Sequence, residues 1–442
     1  MDRAEAKRLQ KPARARHLFL ARLTAVLIGG MFLDGYILGI IGPVTGTLTE
    51  DLGLSPLEEG LTAAAALLGI LFGSPLGGYL GDKFGRKPLF MADMALFVVA
   101  SALQFVVDSP VQLILVRFLM GVAIGTEYSV GWPLMSEFAP AHLRGRLLGV
   151  TLIAWYTGFM AAFLVGYLLT EFTGMDWRVI LGTSTVIAVI LLIARIGLPE
   201  SPRWLWNVGR REEALGVARR FLESGDMADV EHEDVKPGTF GMLFSRQYWR
   251  ATLFTSMFWF CGVAPYFAIA TFADSVLRSY GLGGGLAGGV GLSAVALAGA
   301  ITTALLIDKA GRRILTVPPQ WLCTVILAAI GLWAGAPPVV VLVLFLVFSY
   351  FNTMYNTLTG VYPGEVFPTE IRGIGTGFAA AVSRVGAGMG TFLLPYSMTT
   401  LGTGPSMLIA AGVALVGAAL SQWLAPETKG KSLTETAAVL TH

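Results

Sequence analysis

Gly78-Tyr79-Leu80-Gly81-Asp82-Lys83-Phe84-Gly85-Arg86-Lys87 is a charged, glycine-bearing turn set between two long apolar runs. Its core returns later in the chain as Asp308-Lys309-Ala310-Gly311-Arg312-Arg313. Two further motifs return in the same register. Glu137-x-x-Pro140-x-x-x-Arg144-Gly145 recurs as Glu365-x-x-Pro368-x-x-x-Arg372-Gly373, and Pro199-Glu200-Ser201 recurs as Pro426-Glu427-Thr428. The displacement is about 227 residues each time. The chain therefore reads as one unit written twice.

The flanks of these turns are apolar almost throughout. The 442 residues are 55% hydrophobic and 14% charged, with a mean hydropathy of +0.68. A soluble domain carries about 25% charged residues, so an integral membrane protein is expected. A spanning helix needs about 20 mostly apolar residues. Such runs sit near 20–45, 58–80, 89–107, 111–136, 147–169 and 178–198, then near 249–273, 284–307, 314–335, 338–362, 373–398 and 405–425. The expected fold class is an all-α membrane protein with twelve transmembrane helices in two pseudo-symmetric six-helix bundles. Two repeats related by an axis along the membrane normal are a transporter architecture. The expected division is 1–198 for the first bundle, 199–247 for a cytoplasmic linker with short helices, and 248–442 for the second bundle and a short tail. Within the linker, Glu212-Glu213 leads and Arg219-Arg220 trails, which suits a helix dipole and predicts a short helix with no catalytic role.

Charge distribution orients the bundle. Lys and Arg concentrate in the N-terminal tail and after the second, fourth, sixth, eighth and tenth runs, so both termini are expected in the cytoplasm. The basic first 22 residues precede an apolar run with no small-residue cleavage site, which reads as the first span. Lys plus Arg is 31 and Asp plus Glu is 29, giving no case for nucleic acid. Cys261 and Cys323 each lie in an apolar run and read as packing residues. The four histidines all fall in polar segments, so any intramembrane proton relay must use Asp or Glu. No clustered nucleophile, base or metal-ligand set appears. An enzyme, a metal site and a cofactor are not expected.

The charges that the repeat does not copy carry the most information. Under the offset, Asp34 falls on Cys261, Glu127 on Met354 and Arg384 on Thr157. A duplicated fold needs its hinges twice and its chemistry once. A charge at bilayer depth is costly, so each is a functional candidate. At about 1.5 Å per residue, Asp34 lies roughly 21 Å from the start of span 1 and Arg117 roughly 9 Å from the start of span 4. Across a core of about 30 Å these are the same level, so the two are expected to pair. A carboxylate beside a guanidinium is ionised, and it takes up a proton when the guanidinium moves off. Asp34 and Arg117 are thus candidate proton-coupling residues. Glu127 joins them as a second proton site, a substrate contact, a gate partner or a structural residue.

Arg384 sits about 11 residues into span 11, near the midplane, with no acid at its level in the second half. Such an arginine invites an anion, above all a carboxylate gripped by two hydrogen bonds. The surrounding spans offer rings and two amides: Tyr36, Trp155, Tyr156, Trp259, Tyr266 and Tyr355, with Asn352 and Asn356. These complete the candidate substrate site. It suits a small aromatic or apolar acid.

The whole chain resembles a major facilitator superfamily transporter. Gly78 to Lys87 matches that superfamily's signature loop between spans 2 and 3. Pro199 to Leu205 and Pro426 to Leu433 resemble the sugar-porter branch. Glu365 to Gly373, continuing to Ser383-Arg384-Val385-Gly386, resembles bacterial metabolite and niacin carriers and animal organic-anion carriers. The resemblance implies that an aspartate of span 1 and an arginine of span 4 couple protons, which falls on Asp34 and Arg117. It implies an anion-binding role for Arg384. It also implies a cytoplasmic gate of Asp82, Arg86, Glu137 and Arg144, with Asp308, Arg312, Glu365 and Arg372 in the second half. The expected pairs are Asp82 with a base such as Arg144, and Glu137 with Arg86. Sugar porters carry glutamines on spans 5 and 7, and neither span has one here.

The expected function is uptake of a small organic anion with protons by alternating access. The expected partners are the substrate, protons and the lipid bilayer, and the expected setting is a bacterial inner membrane with a functional monomer. The alternatives are a proton-coupled sugar symporter, a drug-proton antiporter and a non-transporting nutrient sensor.

Overall fold

The computed structural model describes residues 3–138, 141–222, 239–282, 285–333, 335–368 and 371–429, and among these the regular elements are all helices. Twelve helical segments are long and apolar enough to cross a membrane. In the first half they are span 1 Leu18–Leu52, span 2 Pro56–Phe84, span 3 Arg86–Val106, span 4 Pro110–Met135, span 5 Gly149–Thr173 and span 6 Trp177–Arg195. In the second half they are span 7 Trp249–Thr271, span 8 Ala287–Ala310, span 9 Arg312–Leu332, span 10 Pro338–Val366, span 11 Arg372–Thr400 and span 12 Thr403–Leu424. Each expected apolar run has become one span.

Local chemistry fixes where spans start and break. Span 2 begins with Ser55 and Glu58 bonding each other's backbone, and with Pro56 in the first turn. Span 1 is interrupted at Ile40 and span 7 stops at Phe272 before a short helix Ala273–Ser279. Span 10 tightens into a 3-10 turn over Thr357–Gly360. Broken spans of this kind line cavities in carriers, where backbone groups can find partners. The expected linker helix is present as Arg211–Phe221.

The duplicated turns are built alike. Gly85 and Gly311 adopt φ of 104° and 88°. A Cβ at Gly85 would lie 2.5 Å from Glu200 Oε2, and one at Gly311 would lie 2.6 Å from Glu427 Oε2. Only glycine meets both demands.

Spans 2 and 11 and spans 5 and 8 join the halves. The contact is tightest at the end remote from the basic turns. A Cβ on Gly60 of span 2 would stand 2.1 Å from the Phe392 carbonyl oxygen of span 11. There the two backbones are in contact.

Candidate functional site

The cavity lies between the halves and has a volume of about 70 Å³. Its lining includes Arg384, Trp155, Tyr156, Trp259 and Asn356, all expected from the sequence. Phe267 of span 7 lines it too, and so do Tyr128, Trp132 and Met31, which were not singled out. The Arg384 guanidinium carbon lies 5.9 Å from the Tyr128 ring centre and 6.0 Å from that of Trp259. One ring belongs to each half. Among the described residues Arg384 has no hydrogen bond and no ion pair. Its planar donor fork is free for a ligand, between aromatic faces that tolerate a cation.

Asn352 and Asn356 are one turn apart on span 10 and share a face. Asn356 Nδ2 donates to Asn352 Oδ1 at 2.6 Å and to the Gly262 carbonyl at 3.1 Å. Asn352 Nδ2 donates to Gly262 and, at 2.7 Å, to the Tyr355 hydroxyl. Asn352 and Tyr355 are thus used up in a buried structural network behind the lining. Asn356 keeps Oδ1 without a donor, and it is the amide that reaches the cavity. Tyr266 packs its ring beside Tyr156 and Phe267 without lining the cavity. Tyr36 points elsewhere: its hydroxyl meets Thr183 Oγ1 of span 6 at 2.8 Å.

The proton-coupling candidates are arranged differently from the expected pair. Asp34 is fully buried and neither carboxylate oxygen has a hydrogen-bond partner. Arg117 is also fully buried, but its Nε donates to the Thr62 carbonyl of span 2 at 3.1 Å, and both terminal nitrogens lack partners. The Asp34–Arg117 contact is not made in this arrangement, because span 4 packs that side of its helix on span 2. The charges that act electrostatically on Asp34 are those of Glu127, Arg195, Asp93 and Arg384.

Three of these form a buried fork. Arg195 of span 6 donates Nη1 to Asp93 Oδ1 of span 3 at 2.7 Å and Nη2 to Glu127 Oε1 of span 4 at 2.7 Å. It also donates to the Phe90 carbonyl and stacks on the Phe90 ring, 3.6 Å from its centre. Asp93 and Arg195 were missed at the sequence level. The signal was available, since each is an ionisable residue inside a run counted as a span. Arg195 lies close enough to the basic end to be read as orienting charge.

At the basic end the two halves repeat one network. Arg86 pairs with Glu137 at 2.6 Å, and Ser201 Oγ donates to the same carboxylate. Glu200 accepts the backbone N–H of Arg86 and Lys87 at 3.0 and 3.1 Å, where span 3 begins. In the second half Arg312 pairs with Glu365 at 2.9 Å, and Thr428 Oγ1 donates to Glu365. Glu427 accepts from Arg312 and Arg313 N–H at 3.0 and 3.1 Å. Each acid sits at a helix start, where free N–H groups and the dipole favour an anion. Asp308 adds a 3.3 Å contact to Arg312. Asp82 receives Trp204 Nε1 on its backbone carbonyl, and Arg372 donates Nε to the Phe367 carbonyl. The Arg144 side chain lies outside the described residues. Both ion pairs tie helices within one half.

The chain is similar to known carriers over nearly its whole length. The profile of the family described as "Sugar (and other) transporter" matches residues 23–440. An Escherichia coli inner membrane metabolite transport protein, YgcS, is 35% identical, covering 94% of this chain and 93% of that protein. The niacin transporter NiaP of Acinetobacter baylyi is 28% identical, covering 93% and 94%. Among solved structures, the proton:xylose symporter XylE bound to 6-bromo-6-deoxy-D-glucose has a TM-score of 0.78 at 22% identity, covering 96% and 100%. The inward-open XylE structure has a TM-score of 0.79 at 21% identity, covering 95% and 100%.

Proposed function

The chain belongs to the sugar (and other) transporter family of the major facilitator superfamily, and from that premise we propose that it imports a small, preferably aromatic, carboxylate together with protons. The observation that carries the reading is Arg384. It is a cavity-lining guanidinium with no ion pair among the described residues, set beside Tyr128 and Trp259. A carboxylate takes the donor fork, a flat ring lies among Trp155, Tyr156 and Trp259, and Asn356 offers one acceptor. The niacin transporter relatives support an aromatic acid as cargo.

Asp34 carries the proton. Buried without a donor, it is a poor place for a bare charge. Arg117 is its switch. Turned to Thr62, as here, it leaves Asp34 free to hold a proton, and in the opposite state it returns to pair with the ionised acid. A proton entering with the anion offsets its charge. The basic end is read as the cytoplasmic face of a bacterial cell. The turn networks hold each half rigid as the halves rock, and Asp82, Arg144, Asp308 and Arg372 complete them in the gate.

Proton-coupled sugar uptake is the second reading. It is supported by the proton:xylose symporter likeness and by the Asn352–Asn356 pair. Thermal shift of the purified protein with benzoate, nicotinate and xylose separates the two. The anion reading predicts stabilisation by the acids, lost in Arg384→Ala. Stabilisation by xylose alone, unchanged in Arg384→Ala, would overturn it.

A further inference from the structure

A line of rings leads out of the cavity along span 5. Trp155, Phe159 and Phe163 are spaced four residues apart and so share one helix face. Trp155 lines the cavity. Its ring stacks on Phe159 with 5.5 Å between centres, and Phe159 meets Phe163 at 5.2 Å. Span 7 of the second half sets a ring against each of the first two. Phe267 stands 5.9 Å from Trp155, and Tyr266 stands 6.2 Å from Phe159. All five rings are buried.

Phe163 ends the line, and its ring is seated between two glycines. A Cβ at Gly42 of span 1 would lie 2.6 Å from Phe163 Cζ, and one at Gly289 of span 8 would lie 2.9 Å from Phe163 Cε1. Gly42 belongs to the same half as Phe163, and Gly289 belongs to the other. Half two also supplies the rim. The Cβ position of Gly42 is 3.0 Å from the carbonyl oxygen of Thr271, where span 7 stops, and that of Gly289 is 3.6 Å from Ala273 Cβ in the short helix beyond it. Gly42 falls late in span 1 and Gly289 near the start of span 8, so the seat lies toward the end remote from the basic turns. A side chain on either glycine would claim the space the ring fills, and a close-packed interior offers the ring no other place.

Alternating access parts the two halves at each end in turn. We propose that Phe163 is the latch of the end remote from the basic turns: seated on Gly289 it holds spans 5 and 8 together, and it leaves that glycine when this end opens. Gly42 keeps the ring in register within the first half. The latch rests on the alternating-access part of the proposed function and requires neither a particular cargo nor a proton. A flat cargo beside Trp155 would touch the first ring of the line, two rings from the latch.

Nitroxide labels can read the latch with no cargo present. One is attached through Phe172→Cys at the end of span 5 and one through Leu401→Cys just past span 11, both exposed positions, in a chain carrying Cys261→Ser and Cys323→Ser. Electron–electron double resonance on the purified full chain then measures the separation of the halves at this end. Gly289→Leu should move the ratio of long to short distances roughly tenfold toward long, because overpacking the seat opposes its closure. Phe163→Ala should move the ratio the same way. In the double variant Phe163→Ala/Gly289→Leu the leucine fills the space of the ring, and the ratio should return toward that of the parent. Gly291→Ala, where an added carbon meets Leu346 at an ordinary 3.6 Å, should leave it unchanged. An unmoved ratio in Gly289→Leu, an equal shift in Gly291→Ala, or a double variant no nearer the parent than the single ones would overturn the latch. If Gly289→Leu does not fold, Gly289→Ala takes its place, since its one added carbon already meets the ring, and a ratio equal to the parent's would overturn the proposal. With no cargo in the sample, this result and the carboxylate-binding result fail independently.

Discussion

The two halves share a scaffold and divide the chemistry. At the basic end they are near copies: Glu200 and Glu427 each accept two backbone N–H groups, and Glu137 and Glu365 each hold an arginine and a hydroxyl. Inside the bilayer they part. The first half buries Asp34, Asp93, Glu127, Arg117 and Arg195. At the offset of about 227 the second half has Cys261, Gln320, Met354, Leu344 and Gln422, all uncharged. Its own buried-span charge at the cavity is Arg384. The lesson is that the turns are duplicated while the buried charges are not, and under the proposed function the first half's charges serve protons and Arg384 serves cargo.

The comparison breaks most severely at Arg195. Replacing it with Met strands Asp93 and Glu127 without their cation, an expected loss of about 3–5 kcal/mol. Gln422→Met at the equivalent position should change stability little. Thermal unfolding of the two purified variants measures the contrast, and equal losses would remove the asymmetry.

A smaller effect is expected at Arg384→Lys. An ammonium cannot reproduce the planar fork, and carboxylate affinity should fall about tenfold, or roughly 1.4 kcal/mol. Binding of benzoate or nicotinate to purified protein reports it, and unchanged affinity would argue against the anion site.

The smallest effect tests the symmetry. Glu200→Ala and Glu427→Ala each remove an anion from a helix start, and each should cost about 0.5–2 kcal/mol, alike in the two halves. A loss confined to one would show that the turns are not equivalent. Glu427 also predicts a pH window. Burial opposes its ionisation, but the N–H groups of Lys429, Arg312 and Arg313 hold it below its ordinary value of 4.5. Its contribution is therefore present above pH 4.5 and lost as pH falls through the lower folded value. Wild type minus Glu427→Ala stability should shrink only on the acid side of that window.

Hydropathy and spacing made the spans and the duplicated turns legible, because both are properties of length along the chain. What lies about a helix axis was harder to read. Depth put Asp34 and Arg117 at one level, but their rotation decides what they face, and the packing of spans 2 and 4 turned Arg117 to Thr62. Tyr36 shows the same limit. It is two residues from Asp34, and residues two apart do not share a helix face, so it reaches Thr183 rather than the cavity. Asn352 and Asn356 do share a face, yet one is consumed by Gly262 and Tyr355 and the other reaches the lining. The Asp93–Arg195–Glu127 fork joins spans 3, 4 and 6, and no spacing in the sequence announces it.

Asp34→Asn in membrane vesicles tests the division of labour most directly. With a proton gradient and a labelled carboxylate such as nicotinate, the variant should exchange substrate across the membrane but fail to concentrate it. Concentration at the wild-type level would contradict the account.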